Sequence, residues 1–598
     1  MDTFYLVTLA AMALILVAAF SSLLAKRFGA PLLLLFLLIG LLTGVDGLGI
    51  DFSNNTAAFM VGSIALAIIL FDSGYGTSLQ SFRQASAPAL TLATLGVLLT
   101  AVLFGLAARY LLGFTWLEGL LLGSIVASTD AAAVFFLLRT GGINIRDKVR
   151  STLEVESGTN DPMAIFLTSA LVGIVASGAD LGRAGTELVA LFAFQIGLGF
   201  ILGLLGGALI VFVIRRIPVE RGLAPIFVLA LALLIFAATS ALGGSGFLAV
   251  YVAGIYAGNR RIEPKVSIVR FQEGMTWLAQ IIMFLVLGLL ATPSQFPQII
   301  LPAMGLAIFL VFIARPLAVW LCLLPFDFTQ RETGFVAWVG LRGAVSILLA
   351  ILPILGNLEN GQIFFNATFI VVMVSLAIQG WTIKPMAHRL GLIIPPRTGA
   401  IDKLELDLPG TANHELLAYR VVADSPVLRG ERIPRWARPS LVIRDGRSMR
   451  YQYAGRLREN DQVYLFIAPG FSRLLDRLFA SPMPVGDDDN EFFGTFAINP
   501  ARSGEELDAA YGPGLLSEAE RRLSIAELME QRLGGKPDYA DRVKIGRIVL
   551  IVRDTDDNGV TTVGISLEPV TPATRLPLFL NLRELIQICR DSIRRWRR

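Results

Sequence analysis

The sequence predicts a polytopic α-helical membrane protein of about 13 spans, with inverted repeats and two broken helices, followed by two small α/β cytosolic domains. Three observations predict it. Of 598 residues, 54% are hydrophobic and 16% charged, and the mean hydropathy is +0.66, too apolar for one soluble domain. Charge is also unevenly placed: residues 1–400 hold 22 Lys+Arg and 18 Asp+Glu, whereas the 198 that follow hold 29 of each. Finally, several carboxylates and a guanidinium lie deep in apolar segments, where an unpaired ion costs roughly 3 kcal/mol or more. The net charge of +4 belongs entirely to the first part, so it reflects membrane topology and implies no nucleic-acid partner. Cys322 and Cys589 form no disulfide framework, and His388 and His414 are too far apart for a metal cluster. No cofactor or resident metal is implied, and nothing in the pattern points to an enzyme.

Apolar stretches long enough to cross a bilayer lie near 4–25, 30–45, 57–71, 88–112, 117–138, 151–177, 187–214, 223–242, 246–258, 274–291, 298–323, 333–355 and 362–387. The start, MDTFYLV, has no basic n-region, so the first segment reads as a retained span. Connections after odd-numbered spans carry 15 Lys and Arg residues, among them Arg146, Lys148 and Arg150. Even-numbered connections carry Arg183, with Arg109 at a span end. Positive charge stays in the cytoplasm, so the N-terminus is outside and the C-terminal part inside, in a cell inner membrane.

Span 6 carries a buried polar run, ESGTNDP, in which helical spacing sets Ser157 and Asp161 along one edge and Glu156 and Asn160 beside them. Asp161 is eleven residues past Arg150, about 16 Å at the helical rise and so about half of a ~30 Å hydrocarbon core. Span 5 brings Thr129 and Asp130 to similar depth in ASTDAAAV, which reads as the N-cap of a new half-helix. Span 12 holds Arg342 between Gly340 and Gly343, which suggests a second break. Two breaks would expose four half-helix ends, with Asp130 to offset the positive ones and Arg342 the negative ones. Spans 5 and 12 are seven apart, an odd offset that inverts orientation, as in an inverted repeat of spans 1–6 against 8–13.

Structural readings stand beside these functional ones. Arg342 is expected to neutralise Glu156 as an ion pair. Asp130 reads either as an ion ligand or as a helix cap, and Asn160 as an architectural hydrogen-bonding group or part of the site. Asp161 is left as the ion-carrying group, since no second buried cation is expected to pair with it. Glu154 reads as a solvated face residue, and Asp72 as either an interfacial residue or part of a cytoplasmic ion funnel. The glycine-rich GGSGFLAVYVAGIYAGN reads as close helix packing.

The motifs STDAAAV, ESGTNDP, GFLAVYVAGIYAGN and GLRGAVS, in this order, resemble the NhaP-type branch of the monovalent cation:proton antiporter family, over roughly residues 1–395. The resemblance implies a homodimer with a dimerisation part and a six-helix ion-translocating core. It also implies that Asp161 binds cation or proton, with Ser157, Asp130 and the Thr129 backbone completing the shell and Glu156 paired to Arg342. Relatives with Asn-Asp at positions 160–161 are generally electroneutral. Many relatives carry Glu where this chain has Asp72.

From about 402 the pattern changes to alternating strand-like runs with turns. Residues 402–486 resemble the TrkA-C type of regulatory domain, which dimerises and in some proteins binds a small molecule. Residues 491–580 resemble the CorC/HlyC transporter-associated domain. Asp487, Asp488, Asp489 and Asn490 form a short acidic tether, and 581–598 is a basic tail. This architecture resembles the potassium/proton antiporter subgroup. The expected function is therefore electroneutral 1:1 exchange of potassium for a proton, tuned by the cytosolic domains. Sodium is the alternative cation. A gated cation channel is the alternative class, but a TVGYG-like filter is missing from the sequence.

Overall fold

The computed structural model describes residues 2–567 apart from 29–30, 141–142, 178–180, 218–219, 221, 261, 263–264, 395–401, 407–414, 424, 431–432, 434–436, 468–474, 476–477, 480–495, 512–515, 534–536, 538–540, 546–547 and 557–558. The acidic tether Asp487 to Asn490, the basic tail, His414 and Cys589 lie outside the described residues.

The membrane unit runs α1 (Asp2–Phe28), α2 (Leu32–Thr43), α3 (Asn55–Gly76), α4 (Leu79–Thr91), α5 (Val97–Leu112), α6 (Trp116–Ile125), α7 (Ala131–Thr140), α8 (Asp147–Ser177) and α9 (Leu181–Arg216). It continues through α10 (Ala224–Ala241), α11 (Gly246–Gly258), α12 (Lys265–Leu289), α13 (Ile300–Phe309), α14 (Arg315–Leu323), α15 (Gln330–Trp338), α16 (Ala344–Leu349), α17 (Leu352–Leu355) and α18 (Gly361–Arg389). Every predicted segment falls on one of these helices or on a broken set of them. Among the described residues, nine helices are long and apolar enough to cross a bilayer. Shorter apolar helices are α2, α6, α11 and the stretch Ala344–Leu355. α12 starts nine residues before the predicted span, because Lys265, Arg270 and Glu273 lower the hydropathy while Ile268 and Gln272 on the other face are buried.

Helix packing divides this unit into two bundles. α1, α2, α3, α9, α10, α11 and α12 pack chiefly on one another, as do α4 to α8 with α13 to α18, and few contacts join the two groups. The first bundle is built on glycine. A Cβ at Gly74 would lie 2.3 Å from the Tyr251 carbonyl oxygen, one at Gly254 2.4 Å from that of Phe71, and one at Gly258 2.1 Å from that of Tyr75. The motif GFLAVYVAGIYAGN is therefore a packing surface, on which α11 and α3 approach to backbone contact.

The second bundle carries matched local features in its two sets of three spans, 4–6 and 11–13. Spans 4 and 11 each carry a π-helical segment, Leu92–Gly96 and Leu310–Ala314. Spans 5 and 12 each open on a capping box, Thr115 with Glu118 and Thr329 with Glu332. The two cap glutamates then reach across the two sets. Glu118 accepts from Asn360 Nδ2 at 2.7 Å, just before α18, and Glu332 pairs with Arg146 at 3.0 Å, just before α8. Each set's broken span is thus tied to the other set's last helix.

A second unit, Ile394–Ala573, holds two sheets. The first is five-stranded and antiparallel, in the order 402–406, 415–420, 462–467, 439–444, 447–450, and it buries Leu417, Tyr419, Val442, Val463 and Leu465. Asp461, 1% exposed, is held there by Arg444 at 2.7 Å and by the Arg458 amide at 2.7 Å. The second is four-stranded, in the order 496–498, 559–567, 548–556, 542–545, with its own core of Leu528, Met529, Leu550, Val563 and Ile565. Both sheets are antiparallel, so the helices connect or cover strands and do not alternate with them.

The glycine contacts make a paired test. Gly74→Ala forces a Cβ into a backbone carbonyl and is expected to destabilise the detergent-solubilised protein by about 1–3 kcal/mol. Gly76→Ala, two residues on, meets nothing within 4 Å and is expected to be neutral. Thermal unfolding of the two variants side by side is the measurement.

Candidate functional site

Spans 5 and 12 are both interrupted, between Ile125 and Ala131 and between Trp338 and Ala344. The two unwound segments cross, and the Asp130 amide donates to the Leu341 carbonyl at 2.9 Å. The crossing needs Gly343: a Cβ there would lie 2.4 Å from Asp130 Oδ2. Arg342 is 0% exposed, and its Nη1 donates to the carbonyls of Ala127 and Ser128, at 2.7 Å each. It thereby covers the negative end of α6. Asp130 sits at the opposite dipole, its Oδ1 accepting from the Ala133 amide at 3.1 Å, so it caps α7.

α8 lays its polar run against this crossing. The Ser128 hydroxyl donates to Asp161 Oδ1. Ser157 Oγ donates to the Thr129 carbonyl at 3.0 Å and accepts from the Ala131 amide at 3.1 Å. Asn160 Nδ2 donates to Thr129 Oγ1 at 2.6 Å. The structure thus gathers Asp161, Ser157, Asp130, Thr129 and Asn160 at one place. Asn160 orients Thr129, which leaves the Thr129 carbonyl and Ser157 hydroxyl beside the carboxylates. Hard oxygen donors of this kind suit a desolvated alkali cation or a proton.

One predicted contact is corrected. Glu156 pairs with Arg315, at 2.6 Å with both side chains buried, and not with Arg342. Arg342 is occupied by the Ala127 and Ser128 carbonyls, in the unwound segment just past the end of α6. Arg315 follows the π segment of span 11, and Gly340 gives it room: a Cβ at Gly340 would lie 2.7 Å from Arg315 Nε. A second buried cation is therefore present, and it is taken by Glu156; among the described residues Asp161 is hydrogen-bonded by the Ser128 hydroxyl. The signal was in the sequence. Arg315 is the only charged residue between 298 and 323, at the same kind of apolar depth that singled out Arg342. Ser128 carries no such signal, because a serine at a helix break reads as a cap.

A cavity of about 590 Å³ opens onto this place. Asp161, Asp130 and Ser157 line it, together with Asp72, Glu154 and Glu273. Asp72 accepts from Thr276 Oγ1 at 2.9 Å, which fixes its carboxylate on the cavity wall. Glu154 pairs with Arg150 at 2.9 Å.

The sodium/hydrogen exchanger transmembrane family matches residues 13–389. The chain is 42% identical to the K(+)/H(+) antiporter NhaP of Alkalimonas amylolytica, over 92% of this chain and 97% of that one. It is 39% identical to the K(+)/H(+) antiporter NhaP2 of Shewanella baltica, over 91% and 94%. A solved structure of the sodium proton antiporter MjNhaP1 from Methanocaldococcus jannaschii shares the fold, with a TM-score of 0.57 at 24% identity, covering 65% of this chain and 99% of that one.

The corrected pairing is open to a double-mutant cycle. Arg315→Met leaves Glu156 buried and unpaired and is expected to cost about 3–5 kcal/mol. Adding Glu156→Gln should recover much of that loss, whereas adding Glu156→Gln to Arg342→Met should not. Thermal melts of the five variants decide between the two pairings.

Proposed function

The chain belongs to the sodium/hydrogen exchanger family, and on that premise we propose that it exchanges potassium for a proton, one for one, with Asp161 carrying either ion in turn. Cation:proton antiport follows from the family and its named relatives. The finer reading rests on one observation, the charge balance at the crossing. Asp130, Glu156 and Asp161 stand against Arg315 and Arg342, so the ionised set carries one uncompensated negative charge. In a low-dielectric interior that charge demands one monovalent partner, and a cation and a proton compete for it. Each crossing of the occupied site then moves the same net charge in both directions, and the exchange is electroneutral.

The ion shell comprises Asp161, Ser157, Asp130 and the Thr129 carbonyl, with Glu156, Arg315, Arg342 and Asn160 holding it in shape. Asp72 belongs to the funnel that leads to it. The positive-inside distribution of loop charge supports a cytoplasmic opening and cytoplasmic C-terminal domains in the inner membrane. Potassium is favoured over sodium by the names of the relatives. Their alignments run well past residue 389, so the same likeness includes the sheets of the second unit. We read those sheets as TrkA-C-type and CorC/HlyC-type modules that set the rate or pH dependence of a homodimer, the first with a small-molecule ligand.

Proteoliposomes with an internal pH dye test this. A potassium gradient is expected to drive proton movement whether or not the membrane potential is clamped, with sodium a poorer substrate. Asp161→Asn is expected to abolish exchange with normal folding. Deleting residues 400–598 should shift the pH profile or rate and leave exchange intact. Potential-driven flux, or full activity of Asp161→Asn, would overturn the mechanism.

A further inference from the structure

Asn259 ends the motif GFLAVYVAGIYAGN, whose glycines pack α11 on α3, yet packing gives no reason for the asparagine itself. Its side chain lies where the chain leaves one bundle for the other. α3 belongs to the first bundle and ends at Gly76, and α4 belongs to the second and begins at Leu79. Asn259 Oδ1 accepts from the Leu79 amide at 2.7 Å, while its Nδ2 donates to the Thr77 carbonyl at 2.9 Å. One side-chain amide therefore holds both ends of the connection, as a peptide group of a neighbouring strand would. Nδ2 also donates to the Ile255 carbonyl at 2.8 Å, which ties the side chain to the end of its own helix.

The mounting of this residue is rigid. α11 is pressed to backbone contact against α3 at Gly258, immediately before Asn259. The other described crossing between the bundles, residues 290–299, is much longer: ten residues lie between α12 and α13, and they include a 3-10 turn at Pro293–Gln298. That linker is held from both sides by different residues. Asp46 of the first bundle accepts from the Ser294 amide at 2.7 Å, and Asn366 of the second donates to Gln295 at 3.1 Å. The third crossing, from Ser177 to Leu181, runs through residues outside those described; of the two described, the short one is the tie about which a rigid body turns.

We propose that Asn259 is a positioning residue for transport: it clasps the Thr77–Leu79 connection as the fixed pivot about which the second bundle moves against the first. The inference rests on the exchange proposed above, taking the occupied site to cross together with the bundle that holds it. Asn259 touches no ion and lies outside the cavity lining, so its role is in turnover and not in binding. Aspartate keeps the acceptor for the Leu79 amide and loses the donor to Thr77. Alanine loses both.

Reconstituted full-length protein tests the clasp. Asn259→Ala should lower the maximal exchange rate by about tenfold, with the half-saturating potassium concentration unchanged within about twofold, and Asn259→Asp should recover part of the rate. In a Cys322→Ala, Cys589→Ser background, the pair Asn259→Cys with Leu79→Cys should be slow when reduced, and oxidation to the disulfide should restore exchange, since a covalent tie replaces the clasp. A disulfide between Gly62→Cys on α3 and Leu348→Cys on α16, which joins the bundles away from the pivot, should block exchange reversibly. Wild-type rate in Asn259→Ala, or loss of exchange on oxidation of the 259–79 pair, would overturn the pivot. Unimpaired exchange across the 62–348 disulfide would instead overturn the moving-bundle reading on which it rests.

Discussion

Every other feature of the membrane unit follows from one constraint: backbone groups freed inside an apolar layer must find partners. Breaking two helices at mid-depth leaves carbonyls after α6 and α15 and amides before α7 and α16 without intrahelical bonds. The crossing satisfies several of these at once. The Asp130 amide meets the Leu341 carbonyl, Arg342 covers two carbonyls of the other segment, and the Arg342 amide reaches Ser375 Oγ at 3.2 Å. Ser375 is in turn fixed by Gln379, whose Nε2 holds the Trp338 carbonyl at the end of α15. Polar chemistry in the broken spans is thus first a solution to a backbone problem, and the proposed ion site occupies what that solution leaves open.

This explains why some of the site was legible in the sequence and some was not. A carboxylate in an apolar span has few possible roles, so Asp161 could be found from hydropathy alone. The breaks could be found too, because Ser-Thr-Asp before alanines and Gly-Leu-Arg-Gly within a span contradict continuous helix. Pairing could not be found. Glu156 has two buried guanidiniums available, Arg315 and Arg342, and helical spacing says nothing about which span lies beside which. The choice is made by the half-helix dipole, which claims Arg342, and by Gly340, which opens space for Arg315. In the sequence both glycines read as a break beside Arg342. In the fold they are clearances, Gly340 for Arg315 and Gly343 for Asp130. The thin contact between the two bundles was likewise invisible in the sequence, since both are equally apolar.

The cap glutamates extend the same logic outward. Glu118 and Glu332 each complete a capping box, a local interaction readable as T-x-x-E. Each then uses its second oxygen on a residue from the other set of spans, Asn360 or Arg146. Their equivalence lies in the matched capping boxes, and their difference in the partner, one neutral and one cationic. A local helix-start signal has thus been reused as a long-range tie.

These ties decide what kind of motion the fold permits. The two broken spans are bonded to each other at the crossing and, through the glutamates, to α8 and α18, so the second bundle is cross-linked at mid-depth and near both ends. Deforming it internally would expose backbone groups and separate Glu156 from Arg315, at a cost of about 3–5 kcal/mol for the ion pair alone. Turning it as a whole against the first bundle breaks far less, because few contacts join them and those include apolar meetings such as Leu348 on Gly62. The cheaper motion is therefore that of a whole bundle carrying its site intact. A site that moves without being rebuilt keeps its charge balance at every stage, which is the physical condition for exchanging one cation for one proton.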